Sequence, residues 1–235
     1  MKPTILVFHG VTMSGRSMLE LLGPIADSLR AAGFELVAPD AAGRMSADQV
    51  AGLMSWARST YAKVGQDADA AFREGVFWRD GEHGDWFDAA TDPESGEKIY
   101  RALAPSLERV RAAASGRRVV GVLGFSQGCA MAAVVSGAAK RGLLPFGDTL
   151  RFGVYVAGFK ATFDLPRLEL WPVPEVSGLF VTGTADAIFP DPEGIRALAR
   201  EFTDPEVHIV EGLQHTMPVS AEWVDRITAF ATRRS

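Results

Sequence analysis

A single cysteine, Cys129, stands in a chain of 235 residues, so no intramolecular disulfide can form. The fold must rest on buried apolar surface, and at this length a compact chain buries roughly 70 to 75% of the surface its unfolded form exposes. A lone thiol suits a reducing compartment, so a cytoplasmic location is expected. Long hydrophobic runs are also missing. Charges or glycines interrupt every apolar stretch before the roughly 18 residues a membrane span needs, and no membrane span is expected. The opening stretch, "MKPTILVFHGVTMSG", carries one lysine and too short an apolar run for a signal peptide, so no secretion signal is expected. Charge is not gathered by sign either: 24 Lys and Arg oppose 29 Asp and Glu, scattered along the chain for a net charge of −5. Such a surface offers no footprint for a polyanion, and nucleic acid is not an expected partner. Histidine is scarce, with four in all. No internal repeat or low-complexity tract stands out.

What is present is an alternation of short β-rich runs with longer helical patterns, the pattern of a parallel sheet covered by helices. The expected strands are 4–10, 34–39, 118–125, 152–158, 178–183 and 207–212. Several are apolar throughout, as strands buried on both faces are. Helices are expected at about 16–32, 47–63, 97–115, 127–141, 191–202 and 219–232, with Ser14 capping the first and Gly33 stopping it. The sum is an α/β fold with a doubly wound, mostly parallel sheet of about six strands, read as one domain over 1–235.

Residues 65–97 break the alternation: the segment is acidic, yet carries Phe72, Phe77, Trp78, Trp86 and Phe87, too many aromatics for a disordered linker. Two readings stand. Ligands of such sheets bind beyond the carboxyl ends of the strands, so the excursion can wall a pocket and give Trp78, Trp86 and Phe87 contact with substrate. Alternatively, the aromatics plug the outer face of the sheet.

The stretch "VVGVLGFSQGCAMAA" places Gly-x-Ser-x-Gly between a buried strand and a small-residue helix. That is the pattern of a nucleophile elbow, where the serine sits in strained backbone and bulky neighbours would collide. Ser126 is therefore the candidate nucleophile. An alcohol needs a base, and the base needs a third group to fix its tautomer. On such a sheet the order is serine, acid, histidine, which excludes His9 and His83. His208 lies within a strand pattern and points toward a helix layer; His215 lies on the loop beyond it and is assigned as the base. Asp186, three residues past Gly183, is the preferred acid. Asp191, beside Pro192 and Glu193, reads better as a helix-start residue, Asp164 is an outside candidate, and Asp40 precedes the serine. Developing charge on the substrate oxygen needs donors. The backbone N–H groups of Gln127 and Val11 are assigned, with Thr12 second to Val11; Gly10 lets that loop approach the serine. His9 reads as structural and Cys129 as packing. His83, Glu82 and Asp85 lack recognised ligand spacing, so neither metal nor cofactor is expected.

These motifs, with "LVFHGVTMSG", "FGVYVAGFK", "VTGTADAIFP" and "HTMP" in this order, resemble the FSH-type serine hydrolases of the α/β-hydrolase superfamily, from near the first residue to about 230. "DWFDAATD" is also similar to the acyl-protein thioesterase and carboxylesterase group. The resemblance implies an α/β-hydrolase fold, a Ser126, Asp186 and His215 triad, and hydrolysis of esters or thioesters. The expected activity is cleavage of small-molecule carboxylic esters of small or medium acyl groups through an acyl-serine. Two rivals remain: a thioesterase on acyl-carrier or coenzyme A thioesters using the same triad, and a binding protein that kept the fold without catalysis.

Overall fold

The computed structural model describes residues 1–74, 83–91, 98–163 and 169–235. Its strands are β1 (Pro3–Phe8), β2 (Glu35–Val37), β3 (Gly43–Arg44), β4 (Gly84–Asp85), β5 (Asp88–Thr91), β6 (Lys98–Arg101), β7 (Arg118–Phe125), β8 (Phe152–Val156), β9 (Val173–Gly183) and β10 (Phe202–Val210). Its helices are α1 (Gly15–Leu22), α2 (Pro24–Ala31), α3 (Ala47–Lys63), α4 (Ala68–Glu74), α5 (Leu103–Ala114), α6 (Gln127–Lys140), α7 (Glu193–Ala199) and α8 (Ala221–Arg234).

Six strands form one sheet in the order β10-β9-β8-β7-β1-β2, and every neighbouring pair is parallel. Alternate residues feed two cores. Ile5, Val7, Leu123, Phe125, Val154, Val156, Leu179 and Val181 face α1, α2 and α8, where Leu22, Ile25, Leu29, Ile227 and Phe230 meet them. Leu6, Phe8, Val122, Tyr155 and Phe180 face the other way, onto α5, α6 and α7. The period of two along each strand thus divides one apolar run between two helix layers. From β1 the sheet continues to β2 on one side and to β7 on the other. This reversal opens a crevice at the carboxyl ends of β1 and β7, where ligands of open α/β sheets bind.

All six expected strands are present. The expected helix at 16–32 is two helices, because Pro24 has no N–H to donate and Gly23 turns the backbone to φ 45°. Ser14 caps α1 by accepting from the Ser17 N–H, and Gly33 stands at φ 97° just past α2. The expected helix at 97–115 starts only at Leu103, since Lys98–Arg101 pairs instead with Asp88–Thr91. The expected strand at 152–158 ends at Val156 because Ala157 takes φ 49°. Residues 84–85 form a second small ribbon with 43–44. The described part of the acidic excursion is therefore tied into the fold by backbone pairing.

Candidate active site

Ser126 lies between the end of β7 and the start of α6 at φ 56°, ψ −123°, a region that L-residues with a side chain rarely adopt. Its neighbours explain how the turn closes. A Cβ on Gly124 would overlap Gly128 O, and one on Gly128 would overlap Phe8 O and His9 O. Only hydrogens at both positions let α6 start against the end of β1. The serine is itself 7% exposed, enough to open onto the crevice.

Ser126 Oγ is 3.0 Å from His215 Nε2, and His215 Nδ1 is 2.9 Å from Asp186 Oδ2. With a carboxylate as acceptor, Nδ1 carries the proton and donates it to Asp186, which leaves Nε2 to accept from the serine hydroxyl. Asp186 is buried at 1% exposure, and its other oxygen accepts the N–H groups of Ile188 and Phe189 at 2.9 Å each. Burial pushes its carboxyl up, but His215 and these N–H groups outweigh that and hold it below the usual carboxylate range. It is therefore ionised at neutral pH. The ring of His215 lies between Phe125 and Phe189, at 4.9 and 5.5 Å between centroids. Ala185 N–H donates to Leu213 O, tying the acid-bearing loop to the histidine-bearing one. Such a chain of hydroxyl, imidazole and carboxylate can draw the serine proton onto the imidazole as the oxygen attacks.

The other candidates fall elsewhere. Asp191 Oδ1 accepts Glu193 N–H at the start of α7, and Asp40 Oδ1 accepts Gly15 N–H at the start of α1. Asp164, Trp78 and Glu82 lie outside the described residues. His208 stacks edge-on against Trp223 of α8. His9 is buried in the loop itself: Nδ1–H donates to Gly10 O, and Nε2 accepts from Ala41 N–H. Cys129 is fully buried, and burial pushes its thiol up, away from the reactive thiolate.

At the start of α6, the Cys129 and Ala130 N–H groups reach back to Ser126 O, while Gln127 N–H has no earlier turn to pair with. On the facing loop, Thr12 N–H is already donated to Gly84 O at 2.8 Å. The Thr12 N–H is thus occupied, while Val11 lines the same cavity as Ser126 and Gln127.

The aromatics of the excursion divide. Phe87 borders the cavity over Ser126, but Trp86 does not. Trp86 is 1% exposed, its indole N–H donates to His9 O at 2.9 Å, and its ring packs on Phe8 and His9. The expectation that Trp86 touches substrate is corrected: a buried indole needs an acceptor, and the acceptor here is the backbone after β1.

Two features were missed from the sequence. The first is the Gln127 side chain. Its Oε1 accepts Trp86 N–H at 3.0 Å, and its Nε2 donates to Asp85 Oδ1 at 2.5 Å and to Phe87 O at 3.1 Å. Gln127 thereby holds residues 85–87 as a strap across the mouth of the site. The second is α3, whose Gln49, Leu53 and Trp56 share one helix face and close the cavity from above. Their i, i+4, i+7 spacing was a visible signal; for Gln127, the pattern around Ser126 offered none. The cavity measures about 680 Å³ and is walled also by Tyr100, Phe159 and Phe189. A smaller space of about 50 Å³ adjoins it beside Thr12, Ala57, Phe72 and His215.

A family model described as serine hydrolase (FSH1) matches residues 1–227. Esterase OVCA2 of Danio rerio is 29% identical over 219 residues, which cover 92% of this chain and 91% of that protein. Among solved structures, SOBER1 from Arabidopsis thaliana aligns with a TM-score of 0.58 at 17% identity, over 100% of this chain and 99% of the other. Zea mays acyl-protein thioesterase 2 aligns with a TM-score of 0.55 at 18% identity, over 99% and 94%. At these identities the two structures speak for the fold alone.

Proposed function

The chain belongs to the FSH1 serine hydrolase family, and from that premise we propose that it is an esterase in which Ser126, His215 and Asp186 form the catalytic triad. The observation that carries the reading is the unbroken hydrogen-bonded chain from Ser126 Oγ to Asp186, opening onto an apolar cavity. His215 Nε2 takes the hydroxyl proton as Oγ attacks the ester carbonyl. The imidazolium that forms is stabilised by ionised Asp186. Val11 and Gln127 N–H groups receive the developing oxyanion, each contributing about 3 kcal/mol at the transition state. His215 then gives its proton to the departing alcohol, and water resolves the acyl-serine by the same steps in reverse. The aromatic and aliphatic walls suit a small or medium apolar acyl group.

A carboxylic ester is favoured over a thioester because the relative alignable over nine-tenths of both chains is named an esterase. A matched oxygen ester and thioester pair, compared by kcat/KM, separates the two chemistries. The triad itself is tested by Ser126→Ala. The variant is expected to lose para-nitrophenyl ester hydrolysis and labelling by a fluorophosphonate probe while keeping its circular dichroism spectrum. Full turnover in that variant would remove Ser126 from the mechanism, and an unlabelled, inactive wild type would favour a binding protein.

A further inference from the structure

The cavity over Ser126 is apolar along most of its wall, yet the charged side chains among its described lining residues are of one sign. Leu53, Phe87, Tyr100, Phe159 and Phe189 supply the apolar surface, and Asp85 and Asp88 supply two carboxylates. Among the described residues, no Lys or Arg lines this space. Arg44 borders the same two aspartates in a separate groove, whose lining does not include Ser126. Asp85 is fixed in place by Gln127 Nε2, the side chain next to the nucleophile, and Asp88 follows just past the strap, at the start of β5.

We propose that this cavity is a charge filter on the acyl group: Asp85 and Asp88 admit esters whose acyl chains are neutral or cationic and reject those that carry a carboxylate. The inference rests on the esterase reading of Ser126. A chain bound at Ser126 lies in the cavity that the two aspartates border, Asp85 half-buried and Asp88 exposed at its edge, where the apolar walls leave like charges less screened than in bulk water. An anionic chain must also shed part of its own hydration to enter, and among the described lining residues there is no Lys or Arg to receive it. A neutral chain carries no charge to desolvate and packs against the apolar part of the wall. A cationic chain loses hydration too, but gains both carboxylates and the faces of the aromatic rings.

The test uses three para-nitrophenyl esters of similar length: hexanoate, the monoester of adipic acid, which ends in a carboxylate, and an analogue ending in trimethylammonium. Each kcat/KM is divided by the rate of hydroxide hydrolysis of the same ester, which removes differences in intrinsic reactivity. The neutral and cationic esters are expected to exceed the anionic one by at least about tenfold, and Asp85→Asn and Asp88→Asn each to shrink that margin by about threefold or more. Asparagine keeps an oxygen for Gln127 Nε2, so the strap retains its anchor. Turnover of the anionic ester on a par with the neutral one overturns the proposal. So does rejection of the cationic ester together with the anionic one, which would mean that the site sorts by polarity and not by sign. A margin unchanged in both variants overturns it as well. Failure of the wild type on all three esters overturns the esterase reading first and is recognised by the missing neutral turnover.

Discussion

Replacing Gln127 by leucine keeps the side chain close in volume while deleting its three hydrogen bonds to residues 85–87. A neutral hydrogen bond whose partner is left buried costs about 1–3 kcal/mol, and one to a charged group about 1.5–3 kcal/mol. Asp85 and Phe87 border the cavity, so water can take over two of the three partners. Trp86 N–H cannot be rescued in this way, because that residue is almost fully enclosed. The expected loss of stability is therefore about 2–4 kcal/mol, below the full sum of the three bonds. A catalytic loss should accompany it. The strap joins the loop of Val11, through Gly84 O to Thr12 N–H and through the Trp86 indole to His9 O, to the start of α6, through Gln127. Freeing one end loosens the spacing between the two proposed N–H donors, and kcat should fall about tenfold with KM changed less. Urea unfolding followed by circular dichroism measures the first effect, and steady-state kinetics on the folded variant measures the second. A loss under about 1 kcal/mol with kcat intact would show that the indole and the Ser106 hydroxyl, which donates to Trp86 O, hold the strap without Gln127.

Ser126→Gly should equal or exceed Ser126→Ala in thermal stability, although both are inactive, because glycine alone accepts φ 56° without strain; a less stable glycine variant would refute the argument. Gly128→Ala should be destabilised by more than about 3 kcal/mol or fail to fold, since its Cβ meets backbone at Phe8 and His9 that cannot swing aside; a soluble variant with unchanged melting would refute it. Burial first of all holds the Asp85 carboxyl above its ordinary value, so the folded chain binds the extra proton and stability falls as pH rises from the ordinary value through the raised one. Asp85→Asn should therefore gain on the wild type as pH climbs through that window, and a constant difference in unfolding free energy would contradict this. Asp186 runs the opposite way: its lowered carboxyl contributes stability that is present above the ordinary value and lost as pH falls through the lowered one. The deficit of Asp186→Asn should accordingly shrink in acid, as urea melts across pH will register.

Much of the site was legible because its parts are local. The glycines around Ser126 are needed within a single strand-to-helix turn, and their steric role follows from the spacing alone. Chain order left two histidines, and strand pattern separated them: His208 falls within β10, whereas His215 lies on the loop beyond its end. Asp191 beside Pro192 announced a helix start, and its carboxylate does accept the Glu193 N–H. The break at Gly23 and Pro24 was also written in the chain, since a proline cannot continue the hydrogen-bond ladder of a helix, but the cap at Ser14 and the stop at Gly33 were read as the ends of one helix. Trp86 was misread for a different reason. An aromatic in an acidic excursion looks the same whether it faces substrate or fills a gap beneath the strap.

The sequence by itself determined the alternation of strands and helices, the elbow at Ser126, and the loops that bring Asp186 and His215 to it. These depend on short-range backbone geometry and on the period of apolar residues, both of which a linear chain displays. Tertiary structure alone decided that Gln127 grips residues 85–87, that Trp86 supports a loop from beneath, and that α3 roofs a cavity edged by Asp85 and Asp88. Those are meetings between segments about 40 to 80 residues apart, and no local propensity records which distant carbonyl, amide or ring will lie within reach.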